Sequence, residues 1–226
     1  MTIRYGGRET EEKMPKVEPF ELFYDRYERW FEANRYVYLS ELSAIKYFIP
    51  DGRGVEIGVG SGRFASPLKI DVGVDPSQRM RELSSKKGIK VYEGVGENIP
   101  FEDGSFDYAL MVTTICFLDD VQASFNEVNR ILKPRGYFII GFVDKESSLG
   151  KKYSLKKEKS DFYRIATFYS TQEVIDLLEK SGFIKYKTVQ TIFGDLGDIS
   201  TVQDFEDGHG KGSFVVIKAL KLNSNR

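Results

Sequence analysis

The sequence predicts a doubly wound α/β domain, a mostly parallel sheet with helices on both faces, preceded by a helical segment. Three observations carry that prediction. A short apolar strand at 54–58 runs straight into a glycine-rich turn, strand-like and helix-like segments alternate from there to residue 181, and two strand-like runs at 183–193 and 212–222 face each other across a Gly- and Asp-rich connection. A chain of 226 residues with 41% hydrophobic and 30% charged residues makes one domain of ordinary size with a solvated surface. A net charge of −1 gives no field that would gather nucleic acid or anionic membrane. No apolar run approaches the roughly 20 residues of a membrane span. A single cysteine, Cys116, leaves no internal disulfide, and no charged-then-apolar signal pattern opens the chain, so a cytoplasmic location is expected.

The elements follow in order. Residues 1–18 are polar, carry Gly6-Gly7 and Pro15, and read as a loose tail. Across 19–50, Phe20, Phe23, Tyr27, Trp30 and Phe31, then Tyr38, Leu42, Ile45 and Ile49, recur at helical spacing. Asn34 marks the break between two helices and Pro50-Asp51-Gly52 ends the second. Strands are expected near 54–58, 70–74, 89–93, 106–112 and 137–143, with a helix following the glycine turn, another over 76–87 and a third over 171–181. Residues 19–226 read as one domain, a helical lid at 19–50 and a core at 51–226, with no internal repeat.

Four segments carry the chemistry. In Val55-Glu56-Ile57-Gly58-Val59-Gly60-Ser61-Gly62 an acid precedes three glycines spaced two apart. Glycine lets the backbone turn tightly and presents bare N–H groups to a ligand. A dinucleotide fingerprint would place its third glycine where Arg63 stands, so the spacing speaks against NAD. A second strand ends in Asp75-Pro76-Ser77, where a carboxylate suits two vicinal ribose hydroxyls, N-capping of the next helix being its plainer role. The third segment is Glu93-Gly94-Val95-Gly96-Glu97-Asn98-Ile99-Pro100-Phe101-Glu102-Asp103-Gly104-Ser105-Phe106-Asp107, and the fourth runs from Glu127 through Leu132-Lys133-Pro134-Arg135-Gly136 to Ile140.

In this order and spacing, from about 54 to 190, the segments resemble the class I S-adenosylmethionine (SAM) dependent methyltransferases, in particular the small-molecule enzymes that include those of ubiquinone and menaquinone biosynthesis. The resemblance implies a Rossmann-like, seven-stranded, mostly parallel sheet with one antiparallel strand, in three αβα layers. It implies SAM as cofactor, S-adenosylhomocysteine as product, and a loop between the third and fourth strands. It carries cofactor binding to Glu56, Gly58, Val59, Gly60, Ser61, Gly62, Asp75, Pro76, Ser77, Gly96, Glu97, Asn98, Val112 and Thr113. Two positions depart from the family. Val95 stands where an acid reaches the adenine amino group, which leaves the backbone of Gly96 and Glu97, or the Glu97 and Asn98 side chains, for adenine. Arg135 replaces the first glycine of the family's "LKPGG" segment.

No nucleophile dyad or metal cluster is recognisable; one Cys and one His cannot make a His/Cys metal site. A methyltransferase tolerates this, because the methyl is already activated and alignment lowers the barrier by about 7–11 kcal/mol. For substrate contact, Tyr27 and Trp30 are selected from the aromatic N-terminal segment. His209 is added from Asp207-Gly208-His209-Gly210-Lys211, an exposed turn residue being its plainer reading. The cluster Lys151, Lys152, Lys156, Lys157 and Lys159 reads as a solvated helix face, or, with Tyr153, Phe162 and Tyr163 interleaved, as a surface for an anionic substrate or RNA phosphates. The function expected is methyl transfer to N, O or C of a small molecule, without a nucleic-acid partner. An RNA methyltransferase and a non-catalytic SAM-binding module are the alternatives. The acceptor and the oligomeric state are not legible.

Overall fold

The computed structural model describes residues 16–222; the tail reading, up to residue 15, lies outside them. Helix α1 (Glu18–Leu22), α2 (Tyr24–Ala33) and α3 (Arg35–Phe48) come first. The expected first helix is therefore two, joined at Phe23, and Asn34 separates the second from the third. Then come β1 (Gly54–Ile57), β2 (Val72–Val74), α4 (Gln78–Ser85), β3 (Lys90–Tyr92) and β4 (Phe106–Val112). They are followed by α5 (Val121–Ile131), β5 (Leu132–Val143), α6 (Ser148–Lys156), α7 (Thr171–Lys180), β6 (Phe183–Thr191), β7 (Glu206–Asp207) and β8 (Phe214–Lys221).

The sheet runs in the order β3-β2-β1-β4-β5-β8-β6-β7. Strands β1 to β5 pair in parallel, while β8 is antiparallel to both β5 and β6. The seven expected strands are joined by an eighth, the two-residue edge β7, antiparallel to β6. The central strands read as nearly continuous apolar runs because both faces are covered; β4 (FDYALMV) buries six of its seven residues. On one face α5 and α7 pack over a core holding Phe125, Val174, Phe138 and Ile217. On the other, α3 lies over β5, β6 and β8 with Ile45, Phe48, Ile139 and Val216. These side chains alternate along β5 and β8, as a pleat requires.

Two local expectations are corrected. No helix follows the glycine turn: residues 63–69 run as successive turns, since Pro67 has no N–H to continue an α-helical ladder. Strand β5 begins at Leu132 rather than 137, its register against β4 shifting between Phe106 and Tyr108. Arg135 sits there at φ 64°, the left-handed conformation that the family's glycine adopts without strain.

Candidate active site

The strand order reverses between β1 and β4, and in open α/β sheets ligands bind beyond the carboxyl ends of the strands at that point. A cavity of about 590 Å³ opens there. Its floor is the turn after β1, where Gly58 and Gly60 hold φ of 70° and 53°. The Gly58 and Val59 N–H groups donate to Val74 O at 2.8 and 3.1 Å, tying the turn to the end of β2. A Cβ on Gly58 would lie 2.4 Å from the Thr114 side chain, and one on Gly60 would lie 3.2 Å from the Tyr27 hydroxyl. Bare backbone is thus required on the cavity side. Val59, Ser61 and Gly62 belong to the same turn but are not part of the cavity wall: Val59 packs on Gly73, Ser61 is buried, and Gly62 backs onto Ile89.

Asp75 stands at the end of β2 with Oδ2 accepting from Gly60 N (2.8 Å) and Oδ1 from Ser77 N (2.9 Å). Capping of α4 falls to Ser77, whose hydroxyl accepts from Met80 N at 3.1 Å. Asp75 is therefore left as a buried carboxylate on the cavity wall, and burial pushes it up to about 6. Glu56 lies behind the turn rather than on the wall, 1% exposed and with Oε2 unpartnered. Burial raises it well above the ordinary carboxylate range, and the charge of Asp75 adds to that.

The N-terminal helices dock onto this turn. Glu28 of α2 accepts from the Ser61 hydroxyl and pairs with Arg63 at 2.5 Å, and the Tyr38 hydroxyl donates to Arg63 O at 2.6 Å. Tyr27 and Trp30 both line the cavity. Phe20 meets Phe162 at a centroid distance of 5.7 Å, while Arg26 pairs with Asp161 at 2.5 Å, so the helices and the segment after α6 close over the cavity from two sides. Lys16 adds an ion pair to Asp119 at 3.3 Å.

At the remaining wall, Pro76, Ser77, Gly96, Glu97, Val112 and Thr113 line the cavity. One Glu97 oxygen, Oε1, accepts from both the Asp119 and Asp120 N–H groups (2.7 and 3.0 Å), which fixes the side chain against the turn before α5. Asn98 is exposed and outside the cavity wall. Nor does the structure bring His209 to the cavity: it is exposed beside the edge strand β7, and the 194–211 connection reaches the wall at Leu196. Cys116 lines the cavity, but burial pushes its thiol up to about 12, away from any nucleophilic role near neutral pH. Glu28 and Glu41 are participants of the site that no sequence motif marks, whereas Thr114 belongs to the turn after β4 and Tyr153 and Tyr163 to the aromatic residues interleaved with the lysine cluster. Tyr153 is the inward member of the lysine-rich helix face, whose Lys151, Lys152 and Lys156 are exposed.

This arrangement suits a nucleoside cofactor with a charged amino-acid tail: a glycine cradle that a Cβ would fill, a carboxylate at the end of the second strand, and a buried carboxyl with one unpartnered oxygen behind the turn. Comparison with known proteins agrees. Residues 55–140 match a family model described as a methyltransferase domain. An uncharacterized protein of Methanocaldococcus jannaschii is 44% identical over 203 residues, which cover 90% of this chain and 98% of that one. A crystal structure from Thermotoga maritima, named a SAM-dependent methyltransferase and possible histamine N-methyltransferase, superposes with a TM-score of 0.90 at 53% identity. It covers 91% of this chain and 99% of that one. A Haemonchus contortus phosphoethanolamine N-methyltransferase 2, solved with SAM, shares the fold alone, at a TM-score of 0.59 and 19% identity over 81% of this chain and 52% of that one. The chain belongs to the class I SAM-dependent methyltransferases.

Proposed function

We propose that this protein methylates a small molecule at the cavity above the glycine turn, with residues 19–50 serving as the lid of a single domain spanning 19–226. The aromatic-walled cavity, partly covered by the N-terminal helices, carries the reading. Its 590 Å³ falls within the range of about 300–1,000 Å³ common to small-molecule sites. A folded RNA would need an open basic face, whereas α2 and the segment after α6 meet across this opening.

In this reading SAM, when bound, supplies a methyl already activated on a sulfonium. The residues of this chain bind, align and exclude water. Asp75 accepts from the ribose hydroxyls, the Gly58–Gly60 backbone admits the cofactor to the turn, and Glu56, buried behind that turn, reaches its ammonium end through a bridging water. With Val95 in place of an acid and Asn98 off the cavity wall, the Gly96 and Glu97 backbone and the Glu97 oxygen left free by Asp119 and Asp120 serve adenine. Tyr27 and Trp30 cover the reacting end, and alignment there supplies on the order of 7–11 kcal/mol of barrier lowering.

Calorimetric titration with SAM, S-adenosylhomocysteine and NAD tests the reading, with Asp75→Ala alongside and an acceptor screen following. Binding of SAM or S-adenosylhomocysteine that the substitution abolishes, with turnover of a small acceptor, is expected. NAD binding, or SAM binding without turnover of any small acceptor, would overturn it.

A further inference from the structure

Glu41 occupies a position that folding alone does not explain. The buried stripe of α3 is Val37, Ser40, Glu41, Ala44, Ile45 and Phe48, the spacing of a helix face turned to a core. Ser40 accounts for its polar atom, donating to Tyr36 O at 2.7 Å and accepting from Gln203 N at 2.8 Å. Glu41 does not. It is 5% exposed and lines the cavity, yet no hydrogen bond or ion pair reaches its carboxylate among the described residues. An unpaired buried carboxylate is costly and is retained where a ligand completes it.

The surroundings say which ligand. Tyr153 and Tyr163 line the same cavity; burial raises both phenols, and Glu41 is near enough to add to it. Their rings stack at 4.6 Å between centroids, and Phe168 lies 5.6 Å from Tyr163. A carboxylate beside stacked aromatic faces attracts a cation, the acid by charge-assisted hydrogen bonds and the rings through their quadrupoles. Burial holds the free acid toward its protonated form; a bound cation draws it into the charged form, which neither an anion nor a neutral alcohol can do.

We propose that Glu41, with Tyr153, Tyr163 and Phe168, recognises a protonated amino group, so that the methyl acceptor is a small cationic amine. This rests on the methyltransferase reading above and names its substrate class. Glu41 acts as the specificity determinant; which atom of the amine receives the methyl is set by where the rest of the substrate lies.

The test is calorimetry on the full chain saturated with S-adenosylhomocysteine. Phenethylamine and tyramine are titrated against their neutral counterparts, phenethyl alcohol and tyrosol. The amines are expected to bind more tightly than the alcohols. Glu41→Gln, which keeps shape and removes charge, is expected to weaken the amines about 10- to 100-fold, the range for one charged hydrogen bond. S-adenosylhomocysteine affinity, measured in the same variant, shows that the fold persists. Tyr153→Leu, on another element, is expected to weaken the amines while Glu41 remains. Equal binding of amines and alcohols, amine binding untouched in Glu41→Gln, or no amine binding by protein that holds S-adenosylhomocysteine overturns the proposal. Failure to bind S-adenosylhomocysteine at all is a distinguishable result that sinks the methyltransferase reading itself.

Discussion

The Glu28 carboxylate ties the N-terminal helices to the glycine turn, pairing with Arg63 at 2.5 Å while its other oxygen accepts from the Ser61 hydroxyl. Both members of the ion pair are about three-quarters buried, with side-chain exposures of 24% and 23%. Truncation would release α2 and leave Arg63 uncompensated. Glu28→Ala is expected to lower stability by about 1–2 kcal/mol and to weaken SAM about tenfold. Thermal denaturation and calorimetry on the same sample check both; unchanged values for each would show that the aromatic contacts alone hold α2 in place.

Asp75→Asn keeps the side-chain volume and removes the charge that we propose accepts from the ribose hydroxyls. SAM affinity is expected to fall about 10- to 100-fold. In the wild type, affinity should also decline as pH drops through about 6, where burial places the Asp75 carboxyl. Titration calorimetry between pH 5 and 8 would show this; a flat profile would remove Asp75 from the cofactor contacts.

Glu41 gives the ligand-free protein a pH-dependent liability. Its folded-state value, pushed up to about 8 by burial, lies above the ordinary 4.5. The folded state therefore binds the proton more tightly, and stability falls as pH rises from 4.5 to about 8. Each unit is worth about 1.4 kcal/mol. Glu41→Gln cannot titrate, so it should melt near the wild type at pH 4.5 and well above it at pH 8.5. Tyr38, Tyr153 and Tyr163, which share its surroundings, are raised and stay protonated throughout. Parallel melting curves for the two proteins would show that Glu41 is compensated in solution.

Arg135 is exposed at φ 64° in the bulged start of β5. Left-handed backbone costs a non-glycine residue about 1–2 kcal/mol, of which glycine's greater unfolded-state freedom returns about 0.5–1. Arg135→Gly is expected to stabilise the protein by about 0.5 kcal/mol, read as a higher Tm; a lower Tm would mean that the Arg135 side chain contributes more than its backbone strain.

His209 is exposed and away from the cavity. His209→Ala should leave kcat/KM for any acceptor within about a factor of two, as for an ordinary surface substitution. A large loss would place the 194–211 connection over the site during turnover.

The backbone plan of this chain was legible because its determinants are local. Apolar runs announce buried parallel strands, glycines at 58, 60 and 62 announce a turn that only they tolerate, and Ser170 with Glu173 caps α7 through contacts three residues apart. Where a local rule failed, another local fact explains it: Pro67 stops the helix expected after the turn, and the edge strand β7 is too short to leave a periodic signal.

Which side chains meet was not legible. Glu41 reads in sequence as a charged residue on a helix, and Tyr153 as one ring in a lysine-rich run. Only the packing of α3 over β5, β6 and β8, with α6 beginning past the carboxyl end of β5, brings both to one cavity. The strand–turn–strand frame was readable without the structure, because backbone conformation and side-chain periodicity are encoded within a few residues; the cofactor came from the resemblance those motifs carry, in their order and spacing. Packing decided which side chains line the cavity, that one Glu97 oxygen turns to the Asp119 and Asp120 N–H groups, and that His209 stands outside the lining. Burial and electrostatic partnership are properties of elements distant in the chain, and they arise only when those elements pack.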